Sequence, residues 1–196
     1  KIFFASKSSQ GYYSYLSNNP KKIILRSSIN PFYFKNFPKK RKAFNIGIIS
    51  NINPDKNLEL FIDIVKNINN KKIKFTLIGN LFSSQKNYFK RNLILINKLK
   101  NKINWHKNIN DPKKIMKFFN LVICTSKNES LPLSILEALS MSIPVISTNV
   151  GDVAYVLNKI KCGYIVKSNT MDFKKLILKI SKDKKEMLKL SKNARK

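Results

Sequence analysis

Two carboxylates that could bind a ligand, those of Glu129 and Glu137, stand eight positions apart in the segment SKNESLPLSILE, residues 126–137. Glu129 falls in a polar turn after an apolar run with strand character, and Glu137 falls in an apolar segment with helical spacing. An ionised carboxylate only accepts hydrogen bonds, so it suits the hydroxyls of a sugar or a ribose. The N–H groups and the dipole at the start of a helix attract phosphate. The segment therefore predicts a site that holds hydroxyls beside a phosphate.

The same two glutamates have an ordinary explanation. Pairs of Glu at this spacing occur by chance in many chains, and an acidic residue in the first turn of a helix simply complements the helix dipole. The spacing alone does not decide between the two explanations. The elements that position Glu129 and Glu137 have to be considered with them.

The chain carries a net charge of +29, from 39 basic and 10 acidic residues among 196. Such an excess favours an anionic partner, either nucleic acid or an anionic membrane. Proteins that read base edges and phosphates usually do so with arginine. The arginines number four here, namely Arg26, Arg41, Arg91 and Arg195. Lys, Asn and Ile are over-used together, as A/T-rich coding would produce, so we expect no specific nucleic acid and a non-specific attraction to an anionic membrane surface.

The first residue, the apolar runs and the cysteines predict a fragment of a cytoplasmic protein. The chain begins with Lys1, and the apolar residues 2–5 are too few for a signal peptide. No apolar run approaches the ~18 residues that cross a bilayer. Cys124 lies in a strand of buried character and Cys162 beside a turn glycine, which predicts a reducing compartment and no disulfide framework. We expect the protein in the cytoplasm, with peripheral binding to the inner membrane face.

Apolar segments with strand character alternate with helical patterns along most of the chain. The predicted strands cover residues 2–5, 22–25, 44–49, 73–78, 103–105, 121–125, 144–148 and 164–166. The predicted helices cover residues 8–16, 58–68, 85–99, 112–119, 131–140 and 153–157, followed by two Lys-rich helices. Residues 27–40 contain prolines, aromatics and charge, and they predict an extended linker. The alternation predicts an α/β fold in which helices cover a parallel sheet.

Polar or glycine residues follow the predicted strands from residue 44 onward, at the strand ends where open parallel sheets bind ligands. Lys56 could meet a phosphate there, and Gly79 permits a tight turn. Each candidate alone is weak, because a glycine usually marks a plain turn and a lone His is usually structural. The candidates at this edge are Asn51, Lys56, Gly79, Asn80, His106, Lys107, Asn108, Glu129, Asn149, Gly151 and Asp152. Their shared position favours a single site.

Five segments carry a resemblance to a known family. They are NPDKN (53–57), FTLIGN (75–80), FFNLVICTSKNESLPLSILEALSMSIPVIST (118–148), NVGDVAYVL (149–157) and CGYIV (162–166). From about residue 45 to residue 195 the chain resembles the carboxyl-terminal domain of the retaining family 4 glycosyltransferases, also called glycosyl transferases group 1. The resemblance implies a Rossmann-like open parallel sheet with helices on both faces, one half of the two-domain GT-B fold. It also implies a site for a nucleotide-sugar donor.

The resemblance implies a role for each matching residue. The catalytic Glu129 would lie against the donor sugar and its phosphate, and Glu137 would hold the ribose hydroxyls. Lys56 would neutralise the leaving diphosphate. Backbone amides of the Glu129 turn would meet the sugar and the diphosphate, and residues 106–108 would border the base. The implied donor-binding set is Asn51, Lys56, Gly79, Asn80, His106, Lys107, Asn108, Ser130, Leu131, Leu133, Glu137 and Gly151.

Three positions depart from the pattern common in the family. Asn51 stands where an arginine is frequent, and its amide cannot neutralise phosphate. Tyr155 stands where an acidic residue is frequent, which removes one sugar contact. Asn120 stands where an aspartate is frequent, and we expect its role to be structural. The family needs no metal bound to the protein, so no metal and no cofactor are expected, and the donor is a substrate.

The resemblance divides the chain into residues 1–26, a remnant of the amino-terminal Rossmann domain, residues 27–40, the interdomain linker, and residues 41–196, the nucleotide-sugar-binding domain. The remainder of the first domain would bind the acceptor and supply the family's catalytic His, which His106 does not match. The leading hypothesis is the donor half of a retaining glycosyltransferase of polysaccharide biosynthesis, with little activity alone. Two alternatives stay open: an inactive nucleotide-sugar-binding remnant, and a basic nucleic-acid-binding or scaffold protein.

Overall fold

The computed structural model describes residues 2–12, 22–30, 43–80 and 86–195. The strands in this part of the chain are β1 (Ile2–Phe4), β2 (Lys22–Ile24), β3 (Phe44–Ile49), β4 (Ile73–Ile78), β5 (Ile103–His106), β6 (Leu121–Cys124), β7 (Val145–Thr148) and β8 (Gly163–Val166). Strands β3 to β8 form one parallel sheet, and β1 and β2 form a separate parallel pair. The parallel sheet that the sequence predicts is therefore confirmed.

Helices connect these strands in chain order. They are α1 (Lys7–Tyr12), α2 (Leu58–Asn67), α3 (Lys86–Lys98), α4 (Lys113–Met116), α5 (Leu133–Ser140), α6 (Val153–Ile160), α7 (Thr170–Ile180) and α8 (Lys184–Ala194), with a short 3-10 helix at Pro54–Lys56. The two Lys-rich helices predicted at the end of the chain are α7 and α8. The chain has a Rossmann-like α/β fold with helices on both sides of the sheet.

The strand order in the large sheet is β5-β4-β3-β6-β7-β8. The chain builds outward from β3 through β4 to β5, and then returns to place β6 on the other side of β3. The direction of winding therefore reverses between β3 and β6, and an open α/β sheet forms its ligand crevice at such a reversal. The segments that follow β3 and β6 contain Lys56 and Glu129, so both residues flank this crevice.

Two apolar clusters cover the two faces of the sheet. The first joins α2 and α7 to the sheet, with Phe61 and Phe75 packed edge to face at 6.1 Å between ring centroids. The second joins α4, α5 and α6 to the opposite face. Every residue of β6 and β7 is buried, which explains why LVIC and VIST contain no charged residue. Each fully buried Leu, Ile or Phe contributes roughly 1.5–3 kcal/mol, so the two clusters hold the helices in place.

The predicted helix at residues 112–119 is wrong in length, because α4 ends at Met116. The chain must leave the helix there to bring Asn120 beside Asn45 at the start of β3. The Asn45 N–H donates to Asn120 Oδ1 at 2.8 Å, and the Asn120 N–H donates to the Asn45 carbonyl at 2.8 Å. The structural role expected for Asn120 is thus confirmed.

Two other helix ends differ from the prediction. The helix predicted from residue 131 begins at Leu133, because Pro132 has an extended conformation (φ −62°, ψ 126°). The helix predicted at residues 153–157 continues to Ile160 and stops before Lys161, whose φ is +50°. The short 3-10 helix was not predicted from the sequence. It forms because the Asn53 side chain accepts a hydrogen bond from the Lys56 N–H at 3.2 Å.

The first residues of the chain form their own small unit of β1, α1 and β2. The predicted helix at residues 8–16 is observed as Lys7–Tyr12, and the rest of it lies outside the described residues. Residues 27–30 have no regular structure, and residues 31–40 of the predicted linker also lie outside the described part. The domain boundaries at residues 26 and 40 stay a prediction.

Candidate functional site

A cleft of about 460 Å³ opens at the carboxyl ends of the strands, where β3 and β6 diverge. Its walls come from the turn after β3, the turn after β4 and the beginning of α5. The lining residues are Ile49, Ser50, Asn51, Lys56, Ile78, Gly79, Asn80, Ile109, Pro112, Glu129, Leu131, Pro132, Leu133, Ser134 and Glu137. The cleft therefore brings together eight of the site residues that the sequence predicts. The cleft lies between β3 and β6, where the strand order reverses, as expected for a ligand crevice in such a sheet.

Lys56 and Glu129 form a direct ion pair within this cleft, between Nζ and Oε1. The side chains are 27% and 14% exposed, so solvent screens the pair only partly. The Ser126 hydroxyl lies 3.2 Å from the same Glu129 oxygen. A cation and a carboxylate held this close present a phosphate-binding group and a hydroxyl-binding group within one small volume.

Hydrogen bonds between the turn after β3 and the turn after β6 hold the ion pair in place. The Thr125 hydroxyl donates to the Lys56 carbonyl at 2.9 Å. The Lys127 N–H donates to the Asp55 carbonyl at 2.6 Å, and the Asn128 side-chain amide donates to Asp55 Oδ1 at 3.0 Å. These three hydrogen bonds join the two turns, so the segments that carry Lys56 and Glu129 are held together as one unit.

Helix α5 begins inside the cleft. Pro132 precedes the helix and cannot donate a hydrogen bond, so the first helical N–H groups belong to Leu133 and Ser134, which line the cleft. Glu137 lies one turn further along the same helix and also lines the cleft. Burial raises the pKa of Glu137 above its ordinary value, because its carboxylate loses hydration. No side-chain hydrogen bond to Glu137 is present among the described residues, so its oxygens are available to a ligand.

Gly79 and Asn80 shape the wall opposite α5. A Cβ at Gly79 would lie 1.9 Å from the Ser50 carbonyl oxygen, so the turns after β3 and β4 approach each other only because residue 79 is Gly. The Asn80 N–H donates to Asn51 Oδ1 at 3.3 Å, and the Asn80 carbonyl accepts from the Ile52 N–H at 2.9 Å. The Asn51 side chain therefore joins two turns of the cleft wall.

Gly151 and Ser130 do not line the cleft, but they contact each other in the backbone next to it. Gly151 has φ +49°, and a Cβ there would lie 1.9 Å from the Ser130 carbonyl oxygen. The Asp152 N–H donates to the same oxygen at 2.8 Å. These contacts fix the backbone of the turn that carries Glu129.

Residues 106–108 are near the cleft but not among its lining residues. His106 ends β5 and faces another surface cavity, together with Phe118 and Phe119. The Lys107 ammonium lies 4.0 Å from the centroid of the Trp105 ring. The Asn108 N–H donates to Asn80 Oδ1 at 2.5 Å and the Gly79 N–H donates to the His106 carbonyl at 3.1 Å, so this turn contacts the cleft wall through Gly79 and Asn80.

Seven lining residues lie outside the set that the sequence predicts, namely Ile49, Ser50, Ile78, Ile109, Pro112, Pro132 and Ser134. Ser50 and Ser134 flank predicted site residues, and their hydroxyl groups were the available signal. Ile109 and Pro112 follow the turn at residues 106–108, but one apolar residue and one proline in a loop carry no distinctive pattern. Their position in the wall depends on how the loop after β5 folds back.

The described residues contain neither a metal-binding cluster nor a membrane-spanning helix. No group of three or more His, Cys, Asp or Glu side chains could hold a metal ion. No helix combines the length and the apolar character that crossing a bilayer requires. Cys124 and Cys162 are both free and buried, and burial raises the pKa of the Cys162 thiol to about 12.

Comparison with known proteins gives three kinds of match. The model of a family described as "Glycosyl transferases group 1" matches residues 30–196. A relative, the O-antigen biosynthesis glycosyltransferase WclY of Escherichia coli, is 26% identical over 160 residues, which cover 76% of this chain and 43% of that protein.

Solved structures share the fold over the whole chain. The crystal structure of Anabaena Alr3699/HepE in complex with UDP and glucose has a TM-score of 0.88 at 18% identity, over 98% of this chain and 56% of that one. A glycosyltransferase from Rickettsia africae ESF-5 has a TM-score of 0.87 at 20% identity, over 100% of this chain and 57% of that one. The chain thus spans about half the length of these three relatives.

Proposed function

The chain belongs to the glycosyl transferases group 1 family, and from that premise we propose that its cleft binds the nucleoside diphosphate sugar that donates a sugar in the transfer reaction. One observation supports this proposal above the others. Lys56 and Glu129 meet at the beginning of α5, in the crevice between β3 and β6. A phosphate-binding cation, free helical N–H groups and a hydroxyl-binding carboxylate are then all within reach of one ligand.

Each part of the donor would have its own place in the cleft. The N–H groups of Leu133 and Ser134, the dipole of α5 and the Lys56 ammonium bind the diphosphate. Glu137 accepts hydrogen bonds from the ribose hydroxyls, which compensate for the hydration that burial removes from its carboxylate. The base then lies toward the loop after β5, near Ile109 and Pro112, and the sugar lies toward Glu129.

The reaction would be a retaining transfer. The bond between the anomeric carbon and the diphosphate oxygen breaks and its electron pair goes to the diphosphate. An acceptor hydroxyl forms the new bond on the same face of the sugar, and its proton passes to the leaving diphosphate oxygen. Lys56 and the start of α5 stabilise the negative charge that develops on the leaving diphosphate. Glu129 lies where positive charge develops on the sugar. This charge compensation needs no metal ion and no cofactor.

Two further observations, the relative WclY and the net charge, support a proposal for the acceptor and the location. WclY is a glycosyltransferase of O-antigen biosynthesis, which supports a surface glycan or a lipid-linked acceptor as the recipient of the sugar. The net charge of +29 suits a cytoplasmic protein that binds the anionic inner face of a membrane. An acceptor-binding domain is a necessary partner in this scheme, so we expect the chain alone to bind donor and to transfer sugar poorly.

Calorimetric titration with UDP, GDP and their sugar conjugates at fixed salt tests the proposal. We expect micromolar binding of one nucleotide series and its loss in Glu137→Ala. Asp63→Ala is the matched control, because Asp63 is an exposed carboxylate on α2 that pairs with Lys66 outside the cleft. If no nucleotide binds to the wild-type chain, or if Glu137→Ala binds as well as wild type, the proposal is wrong.

A further inference from the structure

Asp152 is a nearly buried carboxylate whose hydrogen-bond partners come from the first thirty residues of the chain. Its side chain is 5% exposed. The Lys7 N–H at the start of α1 donates to Oδ1 at 3.0 Å, and the Arg26 Nε donates to Oδ2 at 2.5 Å. Each carboxylate oxygen thus has its own donor. Two segments separated from Asp152 by more than a hundred positions are held by this one side chain.

Arg26 has a second contact that fixes its orientation. Its guanidinium lies 4.5 Å from the centroid of the Tyr155 ring on α6. A planar guanidinium can stack on a ring while it donates to a carboxylate in its own plane, and a lysine ammonium cannot do both. Arg26 is thus held at two points, by the Asp152 carboxylate and by the Tyr155 ring.

The main chain of Asp152 contacts the candidate site directly. Its N–H donates to the Ser130 carbonyl at 2.8 Å, and Ser130 follows Glu129 in the turn that forms the cleft. Its carbonyl accepts from the Val156 N–H at 3.1 Å at the start of α6. The side chain of Asp152 therefore holds the amino-terminal unit, while its backbone holds the Glu129 turn.

We propose that Asp152 is a positioning residue that couples docking of residues 2–12 and 22–30 to the conformation of the Glu129 turn, and hence to donor affinity. The proposal rests on the proposed function, because it assumes that the cleft binds a nucleotide. When Arg26 and Lys7 engage the Asp152 side chain, the Asp152 backbone is held against Ser130 and Glu129 is presented to the ligand. Coupling of this kind is reciprocal, so a bound nucleotide tightens the docking of residues 2–12 and 22–30 in return.

The first experiment compares UDP affinity by calorimetry in the full chain and in Asp152→Asn and Arg26→Gln. Both variants remove the charge-assisted pair, and we expect each to bind UDP at least about fivefold more weakly. Arg26→Gln changes a side chain that is 33% exposed and keeps an amide that can still donate to the Asp152 carboxylate, so it is the second variant should Asp152→Asn fail to fold. Arg26→Lys keeps the charge and is expected to recover part of the affinity. Asp63→Asn, an exposed carboxylate outside the site, is the control with unchanged affinity.

The second experiment measures reciprocity by amide hydrogen exchange of residues 2–12 and 22–30 with and without UDP. We expect UDP to slow exchange in the wild-type chain and to have no effect there in Asp152→Asn, whereas a purely structural role would give no response to UDP. If the wild-type chain binds no nucleotide, the proposed function itself is overturned. If it binds UDP and both variants keep its affinity, or if UDP leaves the exchange unchanged, only the role of Asp152 is overturned.

Discussion

The carboxylate of Glu137 shows how one residue can be unfavourable for folding and favourable for binding. Burial on α5 removes water from it, and no described side chain replaces the lost hydrogen bonds. The charged form is therefore destabilised in the folded chain, and the pKa is raised. Ribose hydroxyls would supply the missing hydrogen bonds. This is the balance expected of a ligand-binding residue, which natural sequences retain at a cost in stability.

We predict that Glu137→Gln raises the free energy of unfolding at pH 7. A raised pKa means that the folded chain binds a proton more tightly than the unfolded chain, so the penalty exists above the raised pKa and disappears as the pH falls through it. The stability advantage of Glu137→Gln should shrink toward pH 4.5, the ordinary value for this carboxyl group. Urea unfolding at a series of pH values measures it. An advantage that stays constant with pH would contradict the prediction.

Gly151 is a residue whose replacement should act through the backbone. Its φ of +49° disfavours a side chain, and a Cβ would lie 1.9 Å from the Ser130 carbonyl. We predict that Gly151→Ala lowers the free energy of unfolding by at least about 1–2 kcal/mol and also weakens nucleotide binding, because the Glu129 turn must move. Gly11→Ala is the control. Nothing lies within 4 Å of a Cβ at this helical position, so stability should rise by about 0.5–1 kcal/mol. Equal effects of the two changes in urea unfolding would be evidence against the backbone argument.

At the scale of elements, the cleft depends on the alignment of β3 and β6, which are paired over two residues. Asn120 and Asn45 extend that pairing by two hydrogen bonds of 2.8 Å, one of them accepted by the Asn120 side chain. The first turn after each strand then carries half of the Lys56–Glu129 pair. A shift of either strand along the other would separate the two charges. The register of two short strands thus controls the geometry of the site.

We predict that Asn120→Ala costs about 1–3 kcal/mol in the free energy of unfolding, because the Asn45 N–H loses its acceptor. Chemical denaturation followed by circular dichroism measures this cost. Asn158→Ala, at an exposed position of α6, serves as the matched control and should change stability by less than about 0.5 kcal/mol. Asn120→Asp should retain most of the stability, since its carboxylate can accept the same hydrogen bond. A loss as large as that of the alanine variant would show that the acceptor is not what matters.

At the scale of the whole molecule, the net charge of +29 is the dominant property. Lysines occur in every described helix except α5, so the charge is a property of the surface rather than of one patch. Solvent ions screen such charges over about 8 Å at physiological salt. The attraction to an anionic partner is therefore broad, non-specific and sensitive to salt.

We predict that the chain associates with vesicles of anionic phospholipid at low salt and dissociates from them as salt is raised, with no binding to zwitterionic vesicles. Sedimentation with vesicles measures the fraction of the chain that is bound to them. Glu137→Ala should behave as wild type in this assay, because the membrane attraction does not use the cleft. Vesicle binding that resists high salt would contradict an electrostatic origin. Salt-dependent binding to DNA or RNA that survives Glu129→Ala, together with no nucleotide binding, would favour the alternative of a basic nucleic-acid-binding protein.

The alternation of apolar strands and amphipathic helices determined, without any coordinates, that the sheet is parallel and that Lys56, Gly79, Glu129 and the helix with Glu137 share one edge of it. This was possible because the periodicity of side chains and the handedness of crossovers are local properties of the chain. The family motifs in residues 118–148 added the donor site as an expectation.

Tertiary structure alone decided which of these residues form the cleft and what holds them. His106 faces another cavity, Gly151 supports the Glu129 turn from behind, and α4 stops early so that Asn120 can reach Asn45. No pattern in the sequence predicts the hydrogen bonds from Lys7 and Arg26 to Asp152. Their partners lie more than a hundred positions apart, and a pairing at that distance depends on how complete elements pack together, which no local periodicity records.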